Sequence, residues 1–250
     1  MDVRPGAGRL LAPTAGLTLR RLGEDSGRRR GYGRSVSVPP PRGILFDLDG
    51  TLVDSLPDII DSFLHAFSER GLPVPTYEQV RAFIGHPLDW MYRQFAPEAH
   101  VPALCAAYRE HYPLHFHRRS KPYAGVTEVL RALRERGYLL AVATTKRPDM
   151  ARRFVDAMGL GSLLHHVQGT DGFPHKPAPD VIHHALAALG TGGLWMVGDT
   201  ALDVRAGQAA GLRTYAVTWG THPEDVLASA SPDELQPDLQ RLLTHLPPLA

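Results

Sequence analysis

The chain has 250 residues, 43% of them hydrophobic and 21% charged, which suits one or two soluble domains with a sizeable core. A formal net charge of +1 excludes nucleic-acid binding through a whole-surface basic field, and a single cysteine, Cys105, excludes an internal disulfide framework or a multi-cysteine metal cluster. No run reaches the ~18 apolar residues of a membrane helix, so a spanning protein is excluded.

The near-neutral total conceals an uneven distribution. Residues 1–43 carry nine Arg, no Lys and three acids, a net +6; the remaining 207 residues carry 18 bases and 23 acids, a net −5. The first segment is rich in Gly and Pro and has no apolar period, so residues 1–42 are expected to be a disordered extension. Three roles stay open for it: none, an Arg-rich targeting segment, or a basic arm for an anionic partner. Leu10–Leu17, broken by Pro13, does not make a secretory signal.

Gly43–Leu48 is a short apolar run ending at acids and Gly50, which reads as a buried strand and a loop. Asp54 and Ser55 read as turn and cap residues before a helix whose apolar stripe is Ile59, Ile60, Phe63, Leu64 and Phe67. Further helices are expected near Glu78–Ile84, Leu88–Phe95 and Val101–His111, with no strand between residues 57 and 121. Cys105 reads as a small core filler beside Leu104, and none of the His pairs has zinc-site spacing. From Val126 the pattern alternates: a helix closed by Gly137, a strand over Tyr138–Ala143, and a helix from Pro148. A helix over Pro179–Leu189, a strand over Leu194–Val197, a helix over Leu202–Ala210 and a strand over Thr214–Val217 follow. This alternation implies an α/β fold with an open parallel sheet. The expected domains are a core of residues 43–56 and 122–250 and an all-helical insertion of residues 57–121 after the first strand.

In an open parallel sheet, ligands bind beyond the carboxyl ends of the strands. Asp47, Asp49, Thr144, Thr145 and Asp199 all fall at such ends, and Lys176 lies in the loop before the Pro179 helix. Unpaired carboxylates brought together repel, and a hard divalent cation with oxygen ligands relieves that repulsion. Phosphoryl transfer fits the set: a carboxylate attacks phosphorus, cations neutralise the equatorial oxygens and a second acid handles protons.

Phe46-Asp47-Leu48-Asp49-Gly50-Thr51-Leu52-Val53-Asp54-Ser55 resembles the first motif of the haloacid-dehalogenase-like (HAD) hydrolases. Ala143-Thr144-Thr145-Lys146, His175-Lys176-Pro177-Ala178-Pro179-Asp180 and Gly198-Asp199-Thr200-Ala201-Leu202-Asp203 resemble the second, third and fourth, in family order. The resemblance covers residues 43–220 and implies a Rossmann-like core. Asp47 would be the nucleophile and a Mg²⁺ ligand. Asp49 would be the general acid/base and a ligand through its backbone carbonyl, and Asp199 the third ligand. Thr144 would hydrogen-bond the phosphoryl group and Lys176 would neutralise it, while Gly50, Thr51 and Thr145 bind substrate. Asp203 would orient the metal's waters or Lys176, or simply sit in a first helical turn.

An acid at position 49 separates the chain from the dehalogenases of this fold. No Lys occurs from residue 57 to 120, which disfavours a phosphonate hydrolase with a Schiff-base lysine in its insertion. The helical insertion resembles the C1 cap of the phosphoglycolate phosphatase branch, where Gly85 and His86 of Phe83-Ile84-Gly85-His86 would face the substrate. The implied reaction is Mg²⁺-dependent hydrolysis of 2-phosphoglycolate to glycolate and phosphate. Pyrophosphate hydrolysis comes second and a β-phosphoglucomutase-like mutase third; a non-catalytic binding subunit of the same fold is a distant alternative. The implied partner is a small phosphorylated metabolite, not nucleic acid or membrane. A cytoplasmic location is expected, with monomer and homodimer both open.

Overall fold

In this computed structural model the described residues are 42–249. The extension expected over residues 1–42 therefore lies, apart from Arg42, outside the described residues. In chain order the elements are β1 (Gly43–Phe46), β2 (Val53–Asp54), α1 (Leu56–Glu69), α2 (Tyr77–Arg81), α3 (Leu88–Arg93), α4 (Val101–His115) and β3 (Lys121–Pro122). There follow α5 (Val126–Glu135), β4 (Leu139–Ala143), α6 (Pro148–Ala157), β5 (His166–Gln168), α7 (Asp180–Leu189) and β6 (Gly193–Gly198). The last are α8 (Ala201–Ala209), β7 (Arg213–Val217), α9 (Glu224–Ser229), β8 (Glu234–Gln236) and α10 (Leu242–His245).

Six strands form one parallel sheet in the order β5-β4-β1-β6-β7-β8. The strand that starts the fold thus lies inside the sheet, with chain crossing over on both sides of it. Its residues show why it tolerates that position. Ile44, Leu45 and Phe46 are all fully buried, as a strand covered on both faces requires. Alternation sorts them: Ile44 and Phe46 join Val129, Leu130 and Leu133 of α5, whereas Leu45 joins Val181, Ile182 and Ala185 of α7.

Between β2 and β3 the chain makes the four helices α1–α4. The predicted stripe of α1 buries Ile59, Ile60, Phe63 and Phe67, and Phe63 stacks on Tyr92 of α3 with centroids 4.0 Å apart. Leu64 is only half-buried. Cys105 is buried in this cluster.

Two expectations need correction. Lys121–Pro122 is a short strand paired antiparallel with Val53–Asp54, in a region expected to hold none. Its two residues are too few to carry a period. The edge strands β5 (His-Val-Gln) and β8 (Glu-Leu-Gln) were also not anticipated. Each has one apolar residue flanked by polar ones, which is how an edge strand reads like a loop. Among the described residues, no helix is long and apolar enough to cross a membrane.

Candidate active site

The site is built where β1, β4 and β6 end. The Asp47 N–H donates to the Val197 carbonyl at 2.8 Å, so the β1–β6 ladder runs on to the residue that bears the first carboxylate. Beyond it the chain turns back through Gly50, whose φ is +86°. A Cβ at Gly50, or at Gly220, would run into the Asp199 carboxylate, so two bare backbones let Asp199 come close.

Lys176 reaches this point from the loop before α7. Its ammonium donates to Asp47 Oδ1 at 2.6 Å, Asp203 Oδ1 at 2.5 Å and the Ala143 carbonyl at 3.1 Å. Burial works against the Lys176 charge, but Asp203 and Asp47 outweigh it and hold the ammonium above its ordinary range. Asp203 serves two structures at once. Its Oδ1 takes Lys176, and its Oδ2 accepts the Thr200 N–H at 3.0 Å and hydroxyl at 2.6 Å in a capping box at the start of α8. The two roles weighed for it, first-turn residue and orienter of Lys176, therefore coexist.

Asp199 accepts from the Thr51 hydroxyl at 2.6 Å and from the Thr221 N–H at 2.7 Å. Burial pushes its carboxyl up to about 6, with Asp203 adding to the effect and those hydrogen bonds opposing it. Burial also pushes Asp47 well up against the pull of Lys176, with Asp203 and Asp199 adding to it. Carboxylate oxygens of Asp47, Asp199 and Asp203 lie within 4.8 Å of one another. Three buried carboxylates lie together with one buried ammonium, which two of them hold, an imbalance that a divalent cation relieves, so the donor set fits a hard divalent cation with oxygen ligands. Asp203 accepts three hydrogen bonds, one of them from the Lys176 ammonium, whereas Asp199 accepts two from neutral donors and Asp47 one, so Asp47 and Asp199 keep more lone pairs for an ion.

Asp49 stands apart from this trio. Its Oδ1 accepts from the Ser55 hydroxyl at 2.6 Å, and its Oδ2 lies 3.1 Å from the Lys146 ammonium. Ser55 occupies the cap position of α1, but its hydroxyl caps no backbone N–H; it holds Asp49. Lys146 also donates to the Tyr112 hydroxyl of α4 at 2.9 Å, and it sits over the Tyr112 and Phe154 rings.

A cavity of about 590 Å³ opens between the strand ends and the helical insertion. Asp47, Asp49, Gly85, His86, Thr145 and Lys146 are among the residues lining it. The insertion touches the core around this space: the Arg81 guanidinium donates to the Gly220 carbonyl at 3.2 Å. His86 stacks on Trp90 at 4.1 Å, and burial, with His222 adding, lowers its pKa. Thr51 and Thr144 do not line the cavity. Thr51 is fully buried on Asp199, and the Thr144 oxygen accepts the Lys146 N–H at 3.2 Å. Sequence reasoning gave no site role to Ser55, Lys146, Tyr112, Gly220, Thr221 and His175, whose buried Nδ1 has no partner among the described residues. Ser55, Lys146 and His175 do stand inside the first, second and third motifs; Tyr112, Gly220 and Thr221 left no such signal.

The haloacid dehalogenase-like hydrolase profile matches residues 44–217. The chain is 37% identical over 199 residues to the probable phosphatase IndB of Dickeya dadantii, covering 76% of this chain and 86% of that protein. It is 34% identical over 202 residues to the pyrophosphatase PpaX of Halalkalibacterium halodurans, covering 78% and 94%. Among solved structures, a predicted phosphoglycolate phosphatase from Haemophilus somnus superposes with a TM-score of 0.74 at 28% identity, covering 82% of this chain and 97% of that one.

Proposed function

The chain belongs to the haloacid dehalogenase-like hydrolases, and on that premise we propose that it is a Mg²⁺-dependent phosphatase that hydrolyses 2-phosphoglycolate to glycolate and phosphate. The observation that carries the reading is Asp47: a cavity-lining carboxylate with one oxygen on Lys176 and no hydrogen bond on the other from the described residues. The free oxygen attacks phosphorus as the bond to the leaving oxygen breaks. Asp49 gives its proton to that oxygen, then takes one from water, which attacks the aspartyl-phosphate, releases phosphate and restores Asp47. Ser55 keeps Asp49 turned toward its work, and Lys176 offsets charge beside the phosphoryl group. Asp47 and Asp199, with the Asp49 carbonyl, would hold Mg²⁺, which when bound supplies further positive charge to the phosphoryl oxygens.

Pyrophosphate is the second reading, favoured by the likeness to PpaX and by Thr144-Thr145-Lys146. We place the enzyme in the cytoplasm, where Mg²⁺ and small phosphate esters both abound. The test is phosphate release with and without Mg²⁺ on 2-phosphoglycolate, pyrophosphate and common sugar phosphates, with Asp47→Asn as the blank. A kcat/KM for 2-phosphoglycolate ~10-fold above every other substrate, about 1.4 kcal/mol, is expected. A lead for pyrophosphate transfers the assignment, and no Mg²⁺-dependent turnover overturns it.

A further inference from the structure

Lys146 is the one cation lining the cavity that is nearly buried, with a side chain 10% exposed. The other cationic side chains there are Arg109 and Arg147; both are exposed, and Arg147 is paired with Asp149 at 3.4 Å. Asp89 on the same wall is engaged by Arg93. Lys176 is spent on Asp47 and Asp203. Burial lowers the pKa of the lining imidazoles, with His222 adding at His86 and Lys176 adding at His175. An ammonium has three N–H donors; Lys146 makes one hydrogen bond, to Tyr112, and lies 3.1 Å from Asp49 Oδ2 as an ion pair. Tyr112 on the insertion and Phe154 on the core flank it. Its remaining donor capacity is therefore held in a desolvated place, one carboxylate away from the leaving oxygen that Asp49 would protonate.

We propose that Lys146 selects substrates whose leaving group carries its own negative charge, a carboxylate or a second phosphate, by pairing with that charge beside Asp49. The inference rests on the phosphatase reading above and names its substrate class. Geometry gives the reason. The Lys146 ammonium lines the cavity and holds one carboxylate, Asp49. A leaving group that carries its own anion offers a second charged partner there, and a neutral leaving group does not.

The test compares substrates of matched shape on the Mg²⁺-loaded full chain. 2-Phosphoglycolate and pyrophosphate have charged leaving groups; ethyl phosphate has the two-carbon skeleton without the carboxylate. Lys146→Met keeps the apolar contacts with Tyr112 and Phe154, and Lys146→Arg keeps the charge. For Lys146→Met, the loss of kcat/KM on the charged pair should exceed the loss on ethyl phosphate by about 20-fold, with partial recovery in Lys146→Arg. Equal losses on both classes would mean that Lys146 acts through Asp49 or the fold alone, and would overturn the inference while sparing the phosphatase reading. If no ester is turned over, that reading fails, and calorimetry on Asp47→Asn protein decides this one. There, adding Lys146→Met should weaken 2-phosphoglycolate about 20-fold more than ethyl phosphate; equal weakening overturns it.

Discussion

The two walls of the cavity are built on different principles. On the sheet side the buried carboxylates are held by partners that mostly come from distant stretches of chain: Asp47 by Lys176, Asp199 by Thr51 and Thr221, and Asp203 by Lys176 as well as by nearby Thr200. On the helical side the wall is mostly apolar and aromatic, from Ile59, Phe63, Ile84, Leu88, Met91 and Tyr108, with His86 and Tyr112 among them. Charges converging on one point must be satisfied in full or cost several kcal/mol each, so that wall admits few sequences. An apolar wall needs only volume and shape, so many sequences satisfy it.

Lys176→Met sets the comparison at its widest. With the ammonium gone, Asp47 and Asp203 lose their common partner. The unfolding free energy should fall by about 3–5 kcal/mol in a urea melt, and kcat by about 10³-fold. Tyr112→Phe removes one hydrogen bond between the walls and should cost only about 1 kcal/mol in the same melt. Equal destabilisation by the two variants would erase the distinction.

Ser55→Ala tests a residue at the seam, at the cap position before α1 and bonded to Asp49. Releasing that carboxylate should lower kcat by about 10–30-fold with little change in KM. A change in KM alone would assign Ser55 to binding.

The smallest effect belongs to the helical side by itself. His111 on α4 stacks between His65 and His115, with centroids 3.9 and 3.7 Å away, and its Nδ1 lies 3.0 Å from the Ser62 hydroxyl. Burial, with His65, His115 and Arg118 adding and Glu69 opposing, lowers its pKa from 6.5 to about 4. Between those values the unfolded chain binds a proton that the folded chain refuses. Stability should be unaffected by His111 above pH 6.5 and should fall as the pH drops from there toward 4. His111→Asn should flatten that part of a melting-temperature profile, and an unchanged slope would place the acid sensitivity elsewhere.

The same contrast explains what could be read in advance. Asp47 and Asp199 follow buried apolar runs, and a parallel sheet sends all strand ends to one edge, so their convergence was legible. The long helices were legible from their stripes. Ser55 was not, because a serine that caps a helix and one that holds a carboxylate look alike in sequence. Thr51 was expected at the substrate; it lies after the turn at Gly50, and its hydroxyl donates instead to Asp199. The linkage of Lys146 to Tyr112 joins residues 34 positions apart across two walls, and no local pattern announces it.

The pairing of Val53–Asp54 with Lys121–Pro122 has a bearing on how such a molecule can be rebuilt. The chain leaves for the helical segment and returns from it on two neighbouring strands, about 5 Å apart. Bridging that gap takes a turn of very few residues, and closing so short a loop costs little chain entropy. The helical segment is thus joined to the sheet like a cassette in a slot. What any replacement must restore is the apolar contact, since Phe63, Tyr92 and Leu104 of the segment share one hydrophobic cluster with Phe46, Val129 and Phe154 of the core.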